Sequence, residues 1–198
     1  GDLGPALAAF NGGFLEAHGH FGAVLGNITF APPRDGLATF VVYGAGSESE
    51  ATLGTWPLAA GALPSAPLAL RQNLRPLVED SSLSPDAERP EKWGAPSPDQ
   101  RDQVHTVRSG LCVRGDGLWG YFWGAELSPA MLGRVMIRAS CTYGMHLDMN
   151  AAMTGFELCE PRQGRPLHNR MSPRNFPLCE GRTSTRDFFY LRRRSKLP

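Results

Sequence analysis

Short runs of apolar residues, several alternating with small or polar ones, recur along the chain. They are GAVLGNITF (22–30), LATFVVYG (37–44), TVRSGLCV (106–113), LWGYFWG (118–124), GMHLDM (144–149), TGFELC (154–159) and DFFYL (187–191). Each has the length of a strand, carries β-branched or aromatic residues and borders on Gly, Pro, Asn or Asp, so each predicts a strand. Arg114-Gly115-Asp116-Gly117 joins two of them, and its Asp-Gly pair predicts a hairpin. Helical periodicity is scarce. The best case is SPAMLGRVMIRAS (128–140), where Ser128 suits an N-cap and Pro129 the first helical position. Met131, Leu132, Val135, Met136 and Ala139 then form one apolar stripe, with Arg134 and Arg138 off it. A second helix is expected within LALRQNLRPLV (68–78), before Pro76 intervenes.

One run ends differently from the rest. In YGMHLDMNAAMTGFE (143–157) an extended chain puts Met145, Leu147 and Met149 on one side and His146, Asp148 and Asn150 on the other. A strand packed only in a core has no use for three polar groups on one face. A binding or catalytic site does.

Between the strands, residues 80–103 (DSSLSPDAERPEKWGAPSPDQRDQ) and 160–186 are rich in Pro, Ser and charge and are expected as long surface loops. The strands on either side of the first loop complete one another. The expected fold class is therefore α+β: one domain over 1–198, with a mixed, mostly antiparallel sheet and a few helices.

Composition adds limits. The 198 residues are 41% hydrophobic and 20% charged, an ordinary globular balance. The net charge of +1 gives no global field toward nucleic acid or an anionic membrane, and the RRRSK run near the end reads as a solvated tail. No apolar stretch is long enough to span a bilayer. The chain opens on GDLGPALAAF without an initiator Met and reads as a mature or trimmed fragment, whose lost N-terminus could have carried an export signal. Cys112, Cys141, Cys159 and Cys179 allow three pairings, and none forms a CxxC motif. We expect at least one disulfide, with Cys159–Cys179 favoured because it would pin the Pro- and Arg-rich segment between them, and hence a secreted, periplasmic or envelope location.

Four segments carry candidate chemistry. In AAFNGGFLEAHGHFG (8–22), Asn11 precedes Gly12 and Gly13, which can take positive φ and turn backbone N–H groups toward a ligand. Glu16, His18 and His20 follow, and with a carboxylate they have the donor types of a metal site. In the second segment, Arg71, Gln72 and Asn73 interrupt an apolar run, and Arg71 has the fork that grips phosphate or carboxylate. Arg108 and Ser109 lie inside a strand-like run, where a charged residue either points to solvent or has a purpose. Asp148 and Asn150 complete the set.

In this order the segments resemble the phosphodiester glycosidase family. The likeness rests on FNGGF (10–14), RQNLRPLVEDS (71–81), VRSGLCV (107–113) and the helix–strand stretch SPAMLGRVMIRASCTYGMHLDMN (128–150), and it runs from about Ala8 to Cys159. Where the family strand ends in Leu-Asp-Gly-Gly, this chain has Leu147-Asp148-Met149-Asn150. The resemblance implies hydrolysis of a sugar-1-phosphodiester, without a cofactor, on a phosphorylated carbohydrate. Asp148 would act as nucleophile or base, and Arg108 and Arg71 would hold the phosphate with help from Gly12 and Gly13. Asn11 and Asn150 would bind sugar hydroxyls or orient Asp148, and Asn73 and Ser109 would contact substrate; His18, which like His20 has no counterpart in the family motifs, is a further candidate for substrate contact. Two rivals stand beside it. One is a metal-assisted phosphodiesterase using His18, His20, Glu16 and Asp148 around a divalent ion. The other is a carbohydrate-binding or cell-envelope module without catalysis.

Overall fold

A computed structural model describes residues 6–44, 49–59, 61, 66–94, 104–162, 165–171, 178–179 and 187–192. In chain order the strands are β1 (Ala6–Asn11), β2 (Ala23–Leu25), β3 (Ile28–Ala31), β4 (Ala38–Tyr43), β5 (Glu50–Thr55), β6 (Pro67–Gln72), β7 (Val78–Glu79) and β8 (Ser82–Leu83). There follow β9 (Thr106–Arg114), β10 (Trp119–Leu127), helix α1 (Pro129–Arg138), β11 (Cys141–His146), β12 (Phe156–Arg162), β13 (Arg165–Arg170) and β14 (Phe188–Arg192). Short 3₁₀ turns cover Glu16–His18 and Pro90–Lys92.

The strands form three sheets, ordered β13-β12-β1-β14, β10-β9-β11-β7-β8 and β3-β2-β6-β4-β5. The strand pairs are antiparallel. This is the expected α+β class in a single domain. Phe10, Ala38, Phe40, Leu53, Leu111, Met145 and Leu147 pack together from all three sheets. The opposite face of the β9–β11 sheet is covered by α1, through Leu132 and Met136 packed on Leu77, Val78, Trp93, Cys112 and Cys141. Burying side chains of this size contributes about 1.5–3 kcal/mol each.

Helix α1 begins as expected: the Ser128 Oγ accepts the Met131 N–H at 3.1 Å, and Pro129 follows it. Its buried side is rotated from the expected stripe. Ala130, Leu132, Gly133 and Met136 face the sheet, whereas Met131 and Val135 are exposed. Neighbouring glycines explain the choice. A Cβ on Gly110 would lie 2.3 Å from Met136 Cε, and one on Gly144 would lie 2.8 Å from its sulfur. The sheet thus keeps a hollow for Met136, with Leu132 at its rim.

Four expectations are corrected. The helix expected within 68–78 is absent, because Pro67–Gln72 is strand β6, held between β2 and β4 with Leu70 and Gln72 buried on alternate positions. Period-two burial and two sets of ladder bonds override the weak helical spacing there. GAVLGNITF is a hairpin of β2 and β3, turning at Gly26 in the left-handed region (φ 56°). Of the segment 80–103, residues 80–94 follow an ordered path in which Ala87 and Trp93 enter the core under α1, while 95–103 lie outside the described residues. Of the segment 160–186, β12 pairs with β13 across Glu157–Arg162 and Arg165–Arg170, and 172–177 and 180–186 lie outside the described residues.

Two disulfides close the chain on itself. Cys112–Cys141 joins β9 to β11, and the favoured Cys159–Cys179 pair is formed. The buried Glu157 accepts the Leu178 and Cys179 N–H groups at 2.6 and 2.9 Å, seating the second bridge. Among the described residues no helix is long and apolar enough to cross a membrane.

Candidate functional site

The end of β11 breaks the alternation that the sequence predicts. Ser109 on β9 accepts the Leu147 N–H at 2.9 Å and donates its own N–H to the Asp148 carbonyl at 3.0 Å. Two consecutive residues thus oppose one, which is a β-bulge, and a bulge re-aims the side chain that follows it. His146, Asp148 and Asn150 accordingly do not share a face. His146 is buried against Trp93 and Phe14. Asp148 is 4% exposed, with its Oδ1 accepting the N–H groups of Met149 (2.7 Å) and Asn150 (3.1 Å). Asn150 is exposed in the following turn, where its side chain accepts the Ala152 N–H.

Asn11, the last residue of β1, is the hub beside Asp148. Its Nδ2 donates to Ser109 Oγ at 3.0 Å, and Ser109 Oγ donates to the Asp148 carbonyl at 2.9 Å. Its Oδ1 accepts from the Tyr121 hydroxyl (2.7 Å) and the Gly155 N–H (3.0 Å). Burial pushes the Tyr121 phenol well above its ordinary range, and the nearby Asp148 charge adds to this. Tyr121 therefore stays protonated and acts as a fixed donor to Asn11.

Gly12 and Gly13 lead from this hub to a second cluster. Neither glycine occupies the left-handed region, contrary to the expectation; space rather than φ requires them. A Cβ on Gly12 would lie 2.0 Å from the Asp187 carboxylate, and one on Gly13 would lie 3.0 Å from the Asn73 side chain. Asn73 accepts the Phe14 N–H and donates to the His146 and Leu147 carbonyls, tying this corner to the bulged strand. Arg71 donates to the carbonyls of Gln72 and Phe14, each at 2.5 Å, and its Nε reaches Asp187 Oδ2 at 2.7 Å.

Arg108 has another task. It lies on the opposite face of β9 from Ser109, fully buried, and donates to the carbonyls of Leu127 (2.9 Å), Trp93 (3.0 Å) and Val104 (3.4 Å). Its fourth partner is His146 Nε2 at 3.1 Å. Burial lowers the Arg108 pKa to about 10. The same burial, reinforced by the Arg108 charge, lowers His146 to about 3. His146 is thus neutral, and because Nε2 accepts from Arg108 its proton sits on Nδ1, for which no group among the described residues has good hydrogen-bond geometry, the Leu147 main chain being near it.

The structure therefore brings Asn11, Gly12, Gly13, Arg71, Asn73, Ser109 and Asp148 together and leaves the Arg108 guanidinium and Asn150 aside. Glu16, His18 and His20 are exposed; His20 Nδ1 pairs with Glu16, and the His18 ring meets Phe14 edge-on at 6.2 Å. Among the described residues no three His, Cys, Asp or Glu side chains gather as metal ligands, so the alternative set of Glu16, His18, His20 and Asp148 is not assembled. A separate cavity of about 190 Å³, lined by Phe21, Leu37, Leu74, Arg75, Asp86, Lys92 and Trp93, contains none of the predicted site residues. Tyr121 and Asp187 went unnoticed in the sequence. The first sat among the aromatics of a strand, and the second preceded a strand more than a hundred residues from its partner Arg71.

No protein-family profile matches the chain, and no curated protein matches it by sequence. Among solved structures, a zebrafish N-acetylglucosamine-1-phosphodiester alpha-N-acetylglucosaminidase catalytic domain, auto-inhibited by its pro-peptide, aligns with a TM-score of 0.50 at 13% identity. The alignment covers 84% of this chain and 62% of that one. A hypothetical protein from Synechocystis aligns with a TM-score of 0.43 at 12% identity, over 82% of this chain and 48% of that one. This chain thus spans about 62% of the zebrafish domain's length, and at this identity the likeness shows a distant relationship of fold.

Proposed function

We propose that the chain is a glycosidase-type hydrolase that cleaves the C1–O bond of a sugar-1-phosphodiester, releasing free sugar and a phosphomonoester. One observation carries the reading. A bulge leaves the buried Asp148 beside the Asn11–Ser109–Tyr121 network, which holds its main-chain carbonyl and feels its charge at Tyr121, and Asn11 lies two residues before Gly13 of the Gly13–Arg71 corner. The distant likeness in fold to a domain named for that chemistry supports it.

In this mechanism the sugar's C1 lies at Asp148, which either deprotonates the attacking water or attacks C1 itself to form a glycosyl ester that water then hydrolyses to free sugar. The C1–O bond breaks, and its electron pair leaves with the phosphomonoester. Arg71 and the Gly13 N–H hold that developing charge in place of Arg108, whose donors already face main-chain carbonyls. Phosphate is a fair leaving group, so no strong general acid is required. Asn11 orients Asp148 through Ser109, with Tyr121 fixing the amide. Two disulfides fit secretion or an envelope location.

The test is a panel of sugar-1-phosphodiesters assayed for both products. The unmodified protein should release sugar and phosphomonoester from at least one member. Asp148→Asn should lower turnover by about a thousandfold or more, the range seen when an essential catalytic carboxylate or donor is lost. Unchanged turnover in that variant would remove Asp148 from the mechanism. Sugar binding without turnover in either protein would favour the non-catalytic module, in which Met149, against Gly94, fills space beside Phe14.

A further inference from the structure

We infer that the Gly13–Arg71 corner is an oxyanion site for a phosphate group, and that the Asp187 carboxylate is its resident, displaceable occupant. The inference rests on the proposed reading only for the identity of the phosphate's bearer.

The corner is built before any ligand arrives. The Gln72 and Phe14 carbonyls fix the Arg71 guanidinium, leaving Nε and the free edge of Nη2 aimed at Asp187, at 2.7 and 3.5 Å. The Gly13 N–H converges on the same carboxylate oxygen at 3.4 Å. That oxygen sits 2.0 Å from where a Gly12 Cβ would be, so the missing side chain is what lets an anion approach the backbone here. A carboxylate and a phosphate offer a guanidinium the same pair of oxygens, so the group that Asp187 presents stands in for a phosphate edge.

Position makes the occupant exchangeable. The Asp187 side chain is 38% exposed against 12% for Arg71, so the carboxylate lies on the solvent side of the donors. Its main chain is fixed independently, by the Gly12 N–H on the Asp187 carbonyl at 3.0 Å and by the pairing of Phe188 with Asn11. Rotation of the side chain alone therefore frees the donors without unpairing β14. A partly exposed ion pair of this kind is weak, so an anion that offers the same pair of oxygens can take its place, a diester with one negative charge or inorganic phosphate with more.

The test is calorimetric titration of the folded protein with inorganic phosphate and with glucose-1-(methyl phosphate). Asp187→Asn should bind both about fivefold more tightly than the unmodified protein, the change that releasing a partly exposed pair gives. Adding Arg71→Gln to that variant should abolish the binding. In the unmodified protein, phosphate should move the carboxyl carbon resonance of Asp187 saturably, a readout that needs no variant to fold. No gain for either ligand, or no movement at Asp187, overturns the inference. A gain for inorganic phosphate alone overturns the diester as ligand and keeps the anion site. Tight binding without sugar release counts against the hydrolase reading and leaves the anion site standing.

Discussion

Replacing Arg108 with Met separates a structural arginine from a catalytic one. The Met side chain fills much of the same channel but leaves three carbonyls, the buried one of Trp93 and the part-buried ones of Leu127 and Val104, without their donor. Each orphaned carbonyl costs ~1–3 kcal/mol. Removing the charge gives some of this back, because burial alone depresses the Arg108 pKa from 12.5 to about 10, equivalent to ~3 kcal/mol. The net loss is about 3 kcal/mol, which for a domain of this size lowers the melting temperature by roughly 6–12 °C. Differential scanning calorimetry at pH 7 measures it. Turnover per folded molecule at 25 °C should stay within about tenfold of the unmodified protein, because the substituted group touches no atom placed at the reaction. A melting temperature within about 2 °C of the original, with turnover lost, would refute this reasoning and return Arg108 to the active site.

The other predictions concern the same interior. His146 has a folded pKa of about 3 against 6.5 unfolded, so the unfolded chain binds the extra proton between those values. Its contribution to stability is complete above pH 6.5 and falls as pH drops toward 3, by up to ~1.4 kcal/mol per pH unit. Urea midpoints measured across that window should decline with acid, and His146→Gln should flatten the decline. Gly110→Ala places a methyl 2.3 Å from Met136 Cε and 3.0 Å from the Met145 carbonyl. Overpacking of that kind should destabilise by ~1–3 kcal/mol in chemical denaturation.

What could be read from the sequence was local, and what could not depended on partners far along the chain. Ser128 and Pro129 announced α1, and Asp116-Gly117 announced the β9–β10 hairpin, because caps and turns are decided by neighbouring residues. Pro67–Gln72 was expected as helix because its pairing with β2 and β4 is invisible in its own spacing. Arg108 stood out as a charge inside a strand, yet its partners at positions 93, 104, 127 and 146 come from four separate segments. The face that Asp148 occupies was misread for a related reason. Alternation is a property of regular strands, and the doubled pairing at Ser109 appears only once β9 lies beside β11. Asp187 was overlooked because a carboxylate before a strand carries no signal until the fold sets it beside Arg71.

The central claim is that the sugar's C1–O bond breaks and the P–O bond does not. Hydrolysis of a sugar-1-phosphodiester in ¹⁸O-labelled water decides it by mass spectrometry of the two products. The account predicts ¹⁸O in the released sugar and none in the phosphomonoester. Label in the phosphomonoester would contradict it and place the chemistry at phosphorus.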